Sequence, residues 1–175
     1  MRLFIAIDIP EKAKQELIRS SQDIKSNSIK ARMATKVYHI TLAFLGDIEK
    51  NKIGDIKDCI DQSFDKEVSF SINEYGFFKG NDGKIIVRKV LFEESFVNQV
   101  YNLRELLKNK SIQYDKKAFN PHITISRDTV LKDGIDLKSM LYRRVECKVS
   151  SVILYNSVNI DGRYEYKTIS SKSLE

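Results

Sequence analysis

Hydrophobic positions along this chain alternate between two spacings, and the switches between them mark out its elements. The opening Arg2-Leu3-Phe4-Ile5-Ala6-Ile7-Asp8-Ile9 is rich in β-branched and aromatic residues and stops at Pro10. This predicts a buried strand followed by a helix over about 11–26 with proline in its first turn. A basic connector carrying Lys30, Arg32 and Lys36 leads into a second strand, Lys36 to Leu45, which Gly46-Asp47 closes. Ile53, Ile56, Ile60 and Phe64 then fall three, four and four apart, the stripe of an amphipathic helix. Two strand-like runs, Val68 to Phe78 and Lys84 to Val90, flank Gly80-Asn81-Asp82-Gly83, which has hairpin chemistry.

The second half repeats this grammar. Phe96, Val100, Leu103 and Leu107 have helical spacing, and the helix ends before the polar stretch at Lys116-Lys117. From Phe119 the chain becomes extended, because Pro121 restricts Asn120, and His122 to Ser126 has strand composition. A short helical or irregular piece covers Leu131 to Leu141. Strands Val145 to Val158 and Tyr164 to Ile169 flank the turn at Asp161-Gly162. Strands and helices mixed with hairpin connections predict an α+β fold rather than a run of βαβ units.

The chain has two histidines, and each opens the same pattern: His39-Ile40-Thr41-Leu42 and His122-Ile123-Thr124-Ile125. A strand repeats every two residues, so each histidine shares a face with its threonine while the aliphatic residues point into the core. A single such tetrapeptide is ordinarily a satisfied strand histidine. Two copies, both in segments read as strands and using every histidine available, point to one shared site. Two imidazoles facing one cleft supply what opening a cyclic phosphodiester needs: a base to activate water and an acid to protonate the leaving ribose oxygen. The hydroxyls of Thr41 and Thr124 would hold the phosphate oxygens between them.

Arg127 lies five residues after His122, where a guanidinium would meet phosphate charge. In a regular strand its parity turns it away from His122, so the strand must end or bulge near Ser126. Tyr38, Phe44 and Phe78 are aromatic candidates for stacking on a base, although core packing is the more ordinary role for each.

Other chemistries lack their motifs. No HxH, HExxH or acidic cluster accompanies the histidines, so neither a metal nor any other cofactor is expected. No GxSxG elbow, cysteine beside a histidine, or glycine-rich phosphate loop is present. Cys59 and Cys147 stand far apart and match no zinc or redox spacing.

Composition adds little beyond this. Apolar residues make up 42% and charged residues 31%, the balance of a globular protein. The length of 175 residues suits one domain, 1–175, or one domain of two lobes. The net charge of +6 and pI near 9.2 suit a polyanion such as RNA, although a solvated Lys/Glu face explains most of the lysines. The apolar opening meets Asp8 and Pro10 too early for a signal peptide or spanning helix, so no membrane partner and a cytoplasmic location are expected.

These residues carry a resemblance. The opening Arg2-Leu3-Phe4-Ile5-Ala6-Ile7, the segment His39 to Asp47, Pro121 to Arg127, and Leu154-Tyr155-Asn156-Ser157 followed by Tyr164 resemble the two-histidine (2H) phosphoesterase superfamily. Within it they resemble the RNA 2′,3′-cyclic phosphodiesterases historically called 2′-5′ RNA ligases. The resemblance implies two pseudo-twofold lobes in a single catalytic domain, each an antiparallel sheet backed by helices, around a central cleft. It also implies His39 as proton donor to O3′, His122 as proton acceptor from water, Arg127 as a phosphate contact and a 2′-phosphate product. RNA ends or cyclic nucleotides would be the partners, with a monomeric protein. Joining or cleaving 2′-5′ linkages in the same cleft is one alternative, and a non-catalytic RNA-end-binding module is another.

Overall fold

The computed structural model describes residues 1–34 and 37–175, so the expected second-strand start at Lys36, and Lys36 itself, lie outside the described residues. Among these residues nine strands and three helices follow in the order β1 (Arg2–Asp8), α1 (Glu11–Ser26), β2 (Ser28–Met33), β3 (His39–Asp47), α2 (Ile53–Ser63), β4 (Val68–Lys79), β5 (Lys84–Phe92), α3 (Glu94–Asn109), β6 (His122–Leu131), β7 (Val145–Val149), β8 (Ser151–Ile160) and β9 (Arg163–Ser173). Single 3₁₀ turns occupy 50–52 and 137–139. The strands form two antiparallel sheets, β3-β1-β8-β9 and β2-β6-β5-β4-β7. The class is the expected α+β.

One face of the four-stranded sheet, with Leu3, Ile5, Ile7, Val152 and Leu154, belongs to a core shared with the helices and the larger sheet. That core takes Ala13, Leu17 and Ile24 from α1, Ile56, Cys59 and Ile60 from α2, and Phe96, Val100, Leu103 and Leu107 from α3. The last four are the stripe whose spacing predicted the helix. The opposite face of the same sheet carries a separate cluster of Phe4, Ala6, Ile153 and Tyr155, with Phe44 and Tyr166 packed on it. Alternation along β1 therefore fills two apolar environments, the main core and an aromatic floor.

Two expectations need correction. Residues 28–33 are a strand rather than a connector: β2 pairs with β6, with Lys30 opposite Val130 and Arg32 opposite Arg127. The run expected as one strand over 145–158 is two, β7 in the five-stranded sheet and β8 in the four-stranded one, with Ser150 between them. Burial falls on odd positions before the break (Cys147, Val149) and includes the even positions Val152 and Leu154 after it. The chain changes sheets there and its pleat restarts.

The larger sheet has an ionic anchor that the hydrophobic pattern did not reveal. Arg88 of β5 is fully buried, donating to Glu16 Oε1 of α1 (2.9 Å), Ser20 Oγ (2.6 Å) and the Arg143 carbonyl (2.9 Å). Tyr75 and Tyr142 rings stand 5.1 and 5.3 Å from its guanidinium. Fully partnered, this charge ties α1, β5 and the segment before β7 together. No helix among the described residues is long and apolar enough to cross a membrane.

Candidate active site

The two histidine strands are built alike. Residue burial along β3 and β6 starts identically: His and Thr half-buried, Ile buried between them, then two consecutive buried residues, Leu42-Ala43 and Ile125-Ser126. Consecutive burial marks a break in the pleat, and the pairing registers show why. Ile5 and Ala6 of β1 pair with Ala43 and Thr41, while Ile86 and Val87 of β5 pair with Ser126 and Thr124. In both places the motif strand advances two residues for its neighbour's one, a β-bulge that switches which side chains face the cleft.

This bulge answers the parity question at Arg127. The strand does not end near Ser126. It bulges there and runs on to Leu131, and Arg127 lines the same cleft as His39, Thr41, His122 and Thr124. A second irregularity follows, with Asp128 in the left-handed region (φ 51°) and its carboxylate accepting from Arg32 Nε at 2.8 Å. The same parity switch on β3 turns Phe44, five residues after His39, toward a compartment adjoining the cleft.

Both imidazoles are anchored in the same way. Nδ1 of His39 donates to the Val37 carbonyl (3.2 Å) and Nδ1 of His122 to the Asn120 carbonyl (2.8 Å). A carbonyl oxygen only accepts, so each Nδ1 keeps its proton and Nε2 is the nitrogen left for proton exchange. Rings hold both in place: Phe4 and Tyr166 centroids lie 5.1 Å from His39, and Phe78 lies edge-on 4.8 Å from His122.

The cleft is about 350 Å³ and draws on both sheets, with Arg163 and Tyr164 from the start of β9 on its rim. Burial pushes the His39 imidazole below the ordinary histidine range, and the charges of His122 and Arg127 act the same way. Burial likewise lowers His122, helped by Arg127. Burial and the neighbouring positive charges thus favour neutral imidazoles, opposed at His39 by the carboxylate of Asp8, and an anion in the cleft would relieve that bias.

Of the three aromatic candidates, Tyr38 lines the cleft but is buried in its wall, its hydroxyl hydrogen-bonded to Ser21 Oγ at 2.7 Å. Phe78 packs on His122 and Phe44 faces the adjoining compartment. Arg2, Arg32, Arg163 and Tyr166 also line the two compartments, and no motif in the sequence marks them. The alternation Ile29-Lys30-Ala31-Arg32-Met33 was a usable signal for β2 and hence for Arg32. Among the described residues, no group of three or more His, Cys, Asp or Glu side chains is gathered to hold a metal ion.

Residues 7–87 match the family model described as LigT-like phosphoesterase. An RNA 2′,3′-cyclic phosphodiesterase of Methanocaldococcus jannaschii is 29% identical to the chain, over 83% of it and 80% of the relative. Over residues 7–87 the chain is similar to the LigT-like phosphoesterases. An RNA 2′,3′-cyclic phosphodiesterase of Geobacillus stearothermophilus is 27% identical across 96% of the chain and 55% of the relative, so the chain spans about half that protein's length. The LigT-like fold extends over the whole chain: the crystal structure of apo Escherichia coli LigT superposes with a TM-score of 0.78, covering 99% of this chain and 96% of that one at 21% identity.

Proposed function

We propose that this LigT-like chain, acting over 1–175 as one catalytic domain, is an RNA 2′,3′-cyclic phosphodiesterase that yields a 2′-phosphate. The observation that carries the reading is the pair of imidazoles with matching Nδ1 anchors, lining one cleft with two threonine hydroxyls and a guanidinium. The names of the relatives support the substrate class.

In the proposed reaction the cyclic phosphate sits between the histidines, its non-bridging oxygens accepting from Thr41, Thr124 and Arg127. Water attacks phosphorus in line with the P–O3′ bond and gives its proton to Nε2 of neutral His122. As P–O3′ breaks, protonated His39 delivers its Nε2 proton to O3′, leaving a 2′-phosphomonoester and a free 3′-hydroxyl. Proton transfer from His122 back to His39 through solvent restores the starting state. The bound anion raises the His39 pKa against the burial that lowers it, so substrate itself favours the protonated acid.

One chain supplies both imidazoles, so a monomer suffices. A cytoplasmic setting is supported by Cys59 and Cys147, which are free and buried. The test is incubation with a 2′,3′-cyclic phosphate substrate in the presence of EDTA. The expected product is the 2′-phosphate; no turnover overturns the activity, and a 3′-phosphate overturns the assignment of the leaving oxygen.

A further inference from the structure

Beside the histidine cleft lies a second compartment of about 360 Å³ that shares His39, Thr41, Arg127 and Tyr164 with it. Its own walls are Phe4 and Phe44 on the aromatic floor, Ser157 of β8, and Arg2 at the exposed start of β1. The Arg2 guanidinium is 5.1 Å from the Phe44 ring and 6.0 Å from the Tyr164 ring. Two rings hold the group while its N–H donors have no carboxylate to satisfy them, since Arg2 forms no ion pair among the described residues.

The charge lining the two compartments points the same way. Arg2, Arg127 and Arg163 line the two compartments without a carboxylate partner among the described residues, and Arg32 is paired with Asp128. A cyclic phosphodiester carries one negative charge, and Arg127 with the acid histidine already meets it. The remaining arginines are surplus for a mononucleotide and matched to a polymer, which brings another phosphate with every residue.

The geometry points to a subsite for the penultimate nucleotide. Arg2, held against Phe44 and Tyr164, contacts the phosphodiester immediately 5′ of the terminal cyclic phosphate, and the exposed Tyr164 ring borders the nucleoside beyond it. This rests on the hydrolytic reading above and adds to it that the protein distinguishes an RNA end from a free cyclic nucleotide. Tyr164 borders both compartments.

The experiment measures kcat/KM for a 2′,3′-cyclic mononucleotide and for a short oligoribonucleotide ending in the same cyclic phosphate. The wild type should prefer the oligonucleotide. Arg2→Gln should lower the oligonucleotide-to-mononucleotide ratio roughly tenfold to a hundredfold, the range for a hydrogen bond to a charged group. It should also cut the slope of log KM against log salt for the oligonucleotide by about 0.7, the loss of one single-strand phosphate contact. Arg2→Lys should restore the slope and part of the ratio. Tyr164→Ala, at an exposed position, should lower the ratio in the same direction.

A ratio and a salt slope both unmoved by Arg2→Gln overturn the subsite while leaving the hydrolytic reading intact. Equal losses on both substrates also overturn it, because they mark a structural defect. If the wild type opens neither substrate, the hydrolytic reading fails and the subsite with it.

Discussion

The strands β3 and β6 present the same backbone device on opposite sides of the cleft, yet they differ in the residue that the device delivers. Each places His and Thr two apart, anchors the imidazole on the carbonyl two residues back, and bulges at the residue after the threonine. On β6 the bulge brings Arg127 to the site, and on β3 it brings Phe44 to the compartment next door. Backbone symmetry therefore gives two equivalent imidazoles, and the charge on one side with the aromatic floor on the other makes them unequal. His39 sits among Phe4, Tyr155 and Tyr166, and among the described residues His122 has only Phe78 within the same range.

The strands are also supported differently. β6 lies inside its sheet between β2 and β5, whereas β3 is an edge strand of its own. The exposed edge of β3 is covered from outside the sheet: Arg104 of α3 donates to the Leu42 carbonyl at 3.0 Å, and the Asp115 amide donates to the Phe44 carbonyl at 2.8 Å. These bonds satisfy an edge that would otherwise invite pairing with another chain. Next to β6, Arg88 pairs with Ile123 across the ladder and carries the buried ionic anchor.

The first way to break the equivalence is to remove each histidine in turn. His39→Ala and His122→Ala should each lower kcat by about 10²–10⁴-fold without unfolding the protein. If only one variant loses activity, the two strands do not share the chemistry. Glu16→Leu probes the support of β6 by leaving the Arg88 guanidinium buried without its counter-charge. Urea denaturation should show a loss of about 3–5 kcal/mol; a change under 1 kcal/mol would mean the remaining hydrogen bonds hold this anchor alone.

Arg127→Gln tests the charge asymmetry. It should reduce kcat/KM by roughly tenfold to a hundredfold through the lost phosphate contact. Because the Arg127 charge lowers both histidines, its removal should move both limbs of the kcat/KM pH profile toward higher pH. Limbs that stay in place would show that the guanidinium does not act on the imidazoles.

The smallest expected effect concerns stability. Both histidines have pKa values below the ordinary range in the folded chain, so below about pH 6.5 the unfolded chain binds more protons. Stability should fall as pH drops through the lowered values, and less so in a His39→Gln, His122→Gln double variant. Added inorganic phosphate should oppose the loss if the cleft takes an anion. Thermal melting between pH 5 and 7.5 reads both effects.

What the sequence determined by itself was what depends on local period and residue type. The helical stripes at 53–64 and 96–107 and the alternation in the two histidine tetrapeptides fixed which face each element buries. They also fixed which side chains were available for chemistry, because a two-residue repeat sets His39 with Thr41 and His122 with Thr124 on the face opposite the buried Ile40, Leu42, Ile123 and Ile125. The tertiary structure decided what depends on pairing between distant segments. The bulge that turns Arg127 inward exists only as a mismatch with β5, the strand character of 28–33 depends on its ladder with β6, and the break at Ser150 reflects two sheets competing for one run of chain. The second compartment, too, comes into being only in the folded chain, since Arg2, Phe44, Arg127 and the β8–β9 hairpin that carries Ser157 and Tyr164 lie tens of residues apart in sequence. Register is a relation between two strands, and neither strand's own sequence contains it.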